Sequence, residues 1–355
     1  MAHSVKDIAQ ALSTQAEGDL DILLSGAAEP ATAAPDQLAL AMTPAYGDLL
    51  AQGRARVAVV WPGCDWKALG LDAAIFAPRA RLAMAQLTQM LDTPLITYEG
   101  IHPTAVIDGA QIGQGVSIGP FTYVGPDAVI GDGTKIASHV SIAGGAVIGA
   151  GWHLLDGVRV LRRVTIGYRC IFQPNSVIGA DGFSFVTTEQ SNVEKLRTNI
   201  NVGTLTPPED ATQNRIHSLG GVVIGDDVEV GACTTIDAGT IRPTRVGAGC
   251  KIDNQCQIGH NAILGRDCLM AGHSGVAGSS VLGDRVVLAG QSGIGDNLKI
   301  GNDVIATAKA AVLSNVPDGQ IIMPLPSFRK DKQLDMMKAL MRLPRVLRDL
   351  PSRQK

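Results

Sequence analysis

At 355 residues, with 45% hydrophobic but only 4% aromatic residues and a formal net charge of −3, the chain exceeds one ordinary domain and lacks the basic footprint of a dedicated nucleic-acid binder. Its six cysteines (Cys64, Cys170, Cys233, Cys250, Cys256, Cys268) form no Cys-x-x-Cys pair and read as reduced thiols, not as a disulfide framework. The opening Met-Ala-His-Ser-Val-Lys-Asp has no apolar signal core and no run approaches the roughly eighteen apolar residues of a membrane span, so a cytoplasmic protein without an integral membrane segment is expected.

Residues 1–99 are expected to form a small α/β domain. Helical stripes run over Val5 to Leu12, Ala45 to Gln52 and Arg79 to Leu91, and compact apolar runs lie between them at Val57 to Trp61, Ala73 to Ala77 and Pro94 to Tyr98. Such a domain serves either as a cap on its neighbour or as a substrate-binding module.

From residue 100 the period changes. Every sixth residue from Val106 to Ile178 is apolar, thirteen landings in one frame, and glycine often follows, as at Gly113, Gly119, Gly125 and Gly131. The step returns at Ile224, Val230 and Ile236, slips by four residues, and continues from Val246 to Ile300 before fading through Ala306 and Val312. A fixed short repeat marks a solenoid whose repeats bury their apolar faces only by stacking. The expected fold is mainly β: a left-handed parallel β-helix of hexapeptide repeats over 100–315, three faces to a coil, between the α/β domain and C-terminal helices over 316–355.

The segment 184–221 interrupts the repeat. It is polar from Thr187 to Lys195 and carries the breaker run Thr206-Pro207-Pro208-Glu209-Asp210, which predicts a projecting loop, either a functional lid or a disordered insertion. Beyond Pro317, Pro324 and Pro326, the residues Leu334, Met337, Leu340 and Met341 sit at helical spacing, with Pro344 forcing a kink or a second helix. Arg329 to Lys355 holds nine Lys or Arg against three Asp. The run, which includes Lys330, Lys332, Lys338, Arg342, Arg345 and Arg348, is either a solvated helix face or a docking surface for an acidic partner.

A stacked prism is too narrow inside for a substrate, so chemistry belongs outside it, in grooves between solenoids; trimers are the expected assembly. His3, His102, His139, His153 and His217 stand without a supporting motif. His260 follows the inward Ile258 and a glycine, so it occupies an outward corner, and Asp253, seven residues earlier in the same coil, is the candidate to orient it. A corner imidazole is either a general base or a polar residue bonded to a neighbouring strand. His273 is the rival; no third ligand accompanies it, and no metal site is expected. Gly275 and Gly278 leave backbone N–H groups accessible for an oxyanion.

The segments Ser176-Val-Ile-Gly-Ala-Asp-Gly-Phe-Ser-Phe, Thr234-Thr-Ile-Asp, Lys251-Ile-Asp-Asn-Gln-Cys-Gln-Ile-Gly-His-Asn and Ala277-Gly-Ser, with the order of the three regions, resemble the UDP-3-O-acylglucosamine N-acyltransferases of the lipid A pathway in Gram-negative bacteria. The resemblance covers nearly the whole chain. It implies that an acyl chain arrives on acyl carrier protein, phosphopantetheine included, so that the chain needs no cofactor of its own. The acceptor is the 2-amino group of UDP-3-O-acylglucosamine, His260 is the base with Asp253 orienting it, and the Gly278 N–H holds the oxyanion. Asn254, Asn261, His273 and Asn297 become substrate contacts, the N-terminal domain a uridine site, the basic tail the carrier-protein dock, and the assembly a homotrimer.

Two stretches depart from the family. Where relatives carry Phe-x-x-Asn-Pro before a Tyr, this chain has Leu40-Ala-Met-Thr43-Pro44-Ala-Tyr46; where many carry a second His, it has Asp296-Asn297. Small residues at Ala306, Ala308, Ala310 and Ala311 predict an acyl groove open at its end. An O-acyltransferase acting on a related sugar nucleotide and a non-catalytic scaffold are the alternatives.

Overall fold

A computed structural model describes residues 2–96, 98–198, 203–324 and 327–349. The chain divides into two compact units after Leu95.

The first unit is built on a five-stranded sheet in the order Ala16–Gly18, Ala73–Phe76, Val57–Val60, Gln37–Ala41, Gly26–Ala28; the first strand is antiparallel to its neighbour and the others are parallel. Val57–Val60 is a continuous apolar run because both of its faces are covered: Val57 and Val59 join one core with Ile8, Leu38 and Leu87, whereas Ala58 and Val60 join another with Leu50 and Trp66. The helix Val5–Ala11 starts with a reciprocal capping box between Ser4 and Asp7. The helix expected over Ala45 to Gln52 is two short pieces, Pro44–Gly47 and a 3₁₀ turn at Leu50–Gln52. The run from Pro94 to Tyr98 is not a strand where described, and Thr97 lies outside the described residues. Ile96 packs with Ala137 and Leu155, and the Tyr98 hydroxyl donates to the Ile136 carbonyl at 2.7 Å.

The second unit contains a parallel β-helix of three sheets with ten, ten and nine strands. Most strands are two residues long, the first pointing outward and the second inward, and each pairs with the strand about one coil further on, as Ile118 does with Ile136 and Ile252 with Met270. Stacking buries the inward column almost completely, which is why it must be apolar. The frame begins one residue later than Val106 suggests: Val106 is exposed and Ile107 lies over Val124, because the step from Ile107 to Ile112 is five residues and not six. The helix also runs on past the fading pattern, with Ala306 and Val312 buried and a last strand, Ile321–Ile322, pairing with Ile305–Ala306.

Two features break the regular wall. The strand Val177–Asp181 shifts register against Thr235–Ala238 at Gly179, whose φ of +90° suits glycine. Beyond it the chain leaves the coil, forms an antiparallel pair between Phe185–Val186 and Asn214–Arg215 and a short helix Asn192–Thr198, and returns through Gly221. The projecting segment is thus a built appendage, closed at its neck by the Gly182 N–H donating to Ser218 Oγ at 2.9 Å. The second break is the four-residue slip between Ile236 and Val246, which adds a turn at 239–243.

The C-terminal segment is one helix, Lys330–Asp349, with Pro344 inside it, and not the two helices that were one of the expected alternatives. Its side chains from Lys330 to Arg348 are exposed. Pro326, Arg353 and Lys355 lie outside the described residues.

Candidate active site

His260 sits at the corner after the strand Gln257–Ile258, and the next two corners of the same edge hold Gly278–Ser279 and Asp296–Asn297. Backbone ladders stack the three: Ser279 N–H donates to the His260 carbonyl at 2.9 Å, and Asn297 N–H to the Gly278 carbonyl at 3.0 Å. A Cβ at Gly278 would come within 2.8 Å of His260 Nε2, and one at Gly182 within 2.6 Å of His260 Cβ. The imidazole is therefore held between two positions that only glycine can occupy without displacing it. Among the described residues, the Gly278 N–H donates to no backbone group.

His260 opens into a cavity of about 910 Å³ whose other wall is the projecting segment, with Phe183, Phe185, Val193 and Ile216. Phe183 and Phe185 meet edge to face at 5.1 Å, and the Arg215 guanidinium lies 5.0 Å from the Phe185 ring. One side of the cavity thus carries an imidazole and a backbone N–H without a backbone partner, and the other mixes aromatic and aliphatic side chains with Ser184, Thr187, Glu194 and Gln213.

On the ring's inner side, Nδ1 lies 3.0 Å from Asn261 Oδ1. Asn261 is buried and does not line the cavity, so it lies behind the His260 ring and not among the cavity-facing groups. The carboxylate near His260 is Asp237, on the strand alongside. It is buried and accepts from Gln257 Nε2 at 2.9 Å; burial pushes its pKa up to about 6, against the Gln257 hydrogen bond and the charge of His260, which lower it.

Asp253, expected to orient His260, does not reach it. It lies at the corner before the strand that His260 follows, with its Oδ2 accepting from the Gly272 N–H at 2.9 Å and its Oδ1 from the Asn254 N–H at 2.7 Å. Asn254 likewise caps a neighbouring coil, accepting from the Ala232 N–H at 2.7 Å. Both line a separate cavity of about 500 Å³ on another face. His273 is at that same edge, donating its N–H to the Asn254 carbonyl at 3.2 Å. Among the described residues no three His, Cys, Asp or Glu side chains gather as a metal site.

Asn297 lines the His260 cavity and donates through Nδ2 to Asp296 at 3.0 Å. Ala311 ends an outward column formed with Gln257, Gly275 and Gly293. A Cβ at Gly293 would touch nothing within 4 Å, and between Gln257 and Ala311 the strip carries only Gly275 and Gly293 and so no side chain. The small-residue reading of the last coil needs correction: Ala306 and Ala310 face the prism interior, and only Ala308 and Ala311 face out. In the first unit, Leu40, Thr43 and Tyr46 gather around a cavity of about 320 Å³ with Glu29, Arg81 and Met84. Lys330, Lys332, Lys338, Arg342, Arg345 and Arg348 all lie on the exposed C-terminal helix, where Lys338 pairs with Asp335 at 3.5 Å.

A parallel β-helix of six-residue steps is the fold of the hexapeptide-repeat transferases, and the family pattern "Bacterial transferase hexapeptide (six repeats)" matches residues 109–144. The chain is 54% identical to the UDP-3-O-acylglucosamine N-acyltransferase of Ruegeria pomeroyi, covering 100% of this chain and 98% of that one, and 46% identical to its counterpart from Paracoccus denitrificans, over 78% and 75%. It belongs to the UDP-3-O-acylglucosamine N-acyltransferase family and is an acyltransferase. Among solved structures, the UDP-N-acetylglucosamine acyltransferase from Campylobacter jejuni aligns at 25% identity and a TM-score of 0.43, covering 68% of this chain and 83% of that one. No helix among the described residues is long and apolar enough to cross a membrane.

Proposed function

We propose that this acyltransferase moves an acyl chain, with or without a hydroxyl group, from acyl carrier protein to the 2-amino group of UDP-3-O-acylglucosamine, a step of lipid A synthesis, with His260 as general base. The observation that carries the reading is the His260 ring presented to the cavity beside the bare Gly278 N–H. As the amine nitrogen attacks the thioester carbonyl, Nε2 takes its proton, and the carbonyl oxygen, now negative, is met by the Gly278 N–H. Collapse of the tetrahedral centre breaks the C–S bond, and the imidazolium returns the proton to the departing thiolate. Asp237, ionised above about pH 6, favours the imidazolium in between. No cysteine lines the cavity, which fits direct transfer without an acylated enzyme.

The remaining parts fall into place around that step. The pocket of Leu40, Thr43 and Tyr46 takes the uridine, with Tyr46 as its aromatic surface. The side-chain-free strip ending at Ala311 takes the donor's acyl chain, and Asn297 a polar group at the cavity's edge. The basic helix docks the acidic carrier, steered by charge. Exposed Leu269, Ile305 and Ile321 on one sheet face favour assembly of copies into a homotrimer, and dependence on carrier-bound thioesters places the work in the cytoplasm. The test is mass spectrometry of the product formed from 3-hydroxyacyl carrier protein and UDP-3-O-acylglucosamine: the reading predicts a hydroxylamine-stable amide, and a labile ester or no product would overturn it.

A further inference from the structure

The four-residue slip between Ile236 and Val246 has no role in the prism, which closes elsewhere without it. Its turn does hold one side chain. Asn261 Oδ1 accepts from the Thr240 N–H at 3.1 Å and from the Thr240 hydroxyl at 3.0 Å, while Asn261 Nδ2 donates to the Arg242 carbonyl at 2.9 Å. The backbone of Asn261 is gripped as well: its N–H donates to Thr244 Oγ1 at 2.8 Å, and its carbonyl accepts from Arg242 Nη2 at 3.3 Å. Leu219 and Gly220 in turn donate their N–H groups to the carbonyls of Thr240 and Gly239, tying the turn to the foot of the projecting segment.

These contacts fix which way the amide faces. Turned over, its NH₂ would meet the Thr240 N–H, donor against donor, and its oxygen would meet the Arg242 carbonyl, acceptor against acceptor. Oδ1 therefore faces His260, and an oxygen that only accepts must be met by a nitrogen that donates. We propose that the turn 239–242 and Asn261 form a positioning device that keeps the His260 proton on Nδ1 and the lone pair on Nε2, the atom facing Gly278. The slip in the repeat is thus the mould for the tautomer that the base requires. Asn261 is a positioning residue and touches no substrate. Its left-handed φ of +63°, which asparagine tolerates, is the backbone condition for the arrangement.

The inference rests on His260 being the base, so its test separates the two. Asn261→Gly keeps the backbone angle without strain and removes every amide contact; Asn261→Asp keeps an acceptor against Nδ1 and the Thr240 N–H while losing the bond to the Arg242 carbonyl, so it separates the contact with the ring from the grip on the turn. Nitrogen-15 NMR of the full chain labelled at histidine, with the His260 resonance identified by its loss in His260→Ala, should show Nδ1 protonated in the wild type and in Asn261→Asp, and a mixture in Asn261→Gly. kcat should fall about tenfold or more in Asn261→Gly with KM unchanged, and recover substantially in Asn261→Asp. A wild-type His260 protonated on Nε2, or an Asn261→Gly chain that keeps the wild-type tautomer and kcat, would overturn the device even if His260→Ala is inactive. Full turnover by His260→Ala would instead remove the base, and with it the catalytic meaning of the device, while the spectrum still reports whether the turn sets the tautomer.

Discussion

Replacing Asp237 by Asn tests whether the carboxylate near His260 is maintained at the expense of stability. Burial raises its carboxyl from the ordinary 3.8 to about 6. Below about pH 4 the group is protonated in the folded and unfolded chain alike and contributes nothing. Between about pH 4 and 6 the unfolded chain releases a proton that the folded chain keeps, so stability falls as pH rises through that window. Above about pH 6 both are ionised and the folded state carries the whole penalty, at most about 3 kcal/mol for a difference of about two pH units at 1.36 kcal/mol each. Asn fits the same space and can still pair with the Gln257 amide. Urea denaturation at pH 8 should therefore find Asp237→Asn more stable than the wild type by up to about 3 kcal/mol, and the difference should vanish near pH 4. kcat at pH 8 should fall, because the imidazolium loses its negative neighbour. Equal stabilities at both pH values, or a less stable variant at pH 8, would refute the reasoning.

Other variants probe the rest of the site. Gly278→Ala puts a methyl 2.8 Å from His260 Nε2 and should lower kcat by about a hundredfold in a chain that melts like the wild type, as followed by steady-state kinetics and thermal denaturation. Asp253→Ala frees the Gly272 and Asn254 N–H groups and should cost about 1 kcal/mol of stability on denaturant titration, with kcat within about twofold of wild type. Ala311→Met narrows the end of the bare strip and should shift the preferred donor to a shorter acyl chain in competition assays; an unchanged chain-length optimum would remove the strip as the acyl groove.

The solenoid is legible because each inward position takes an apolar side chain, so Ile118, Ile136, Leu154 and Phe172 announce the period by themselves. Val106 misleads because the first turn is one residue short, a matter of backbone path that apolar spacing does not encode. Asp253 misleads for a deeper reason. In a stack of coils, proximity follows the coil length and not the sequence gap, so Asp237, twenty-three residues before His260, stands on the neighbouring strand while Asp253, seven before, is at the far corner. The readable signal was the frame itself: one regular coil plus the four-residue slip brings 237 alongside 259. The pairing of Phe185 with Arg215 was not readable, since it joins two stretches only two residues long, one apolar and one polar, across a long excursion. Continuity of the last helix through Pro344 likewise runs against the local propensity of proline.

The most direct test of the central claim is turnover of UDP-3-O-acylglucosamine with 3-hydroxyacyl carrier protein by the wild type and by His260→Ala, each checked for folding by circular dichroism. Amide formation by the wild type and a fall of about 10²-fold or more in kcat for a folded His260→Ala is the result expected for a general base facing the Gly278 N–H. Equal turnover by the two chains would contradict it.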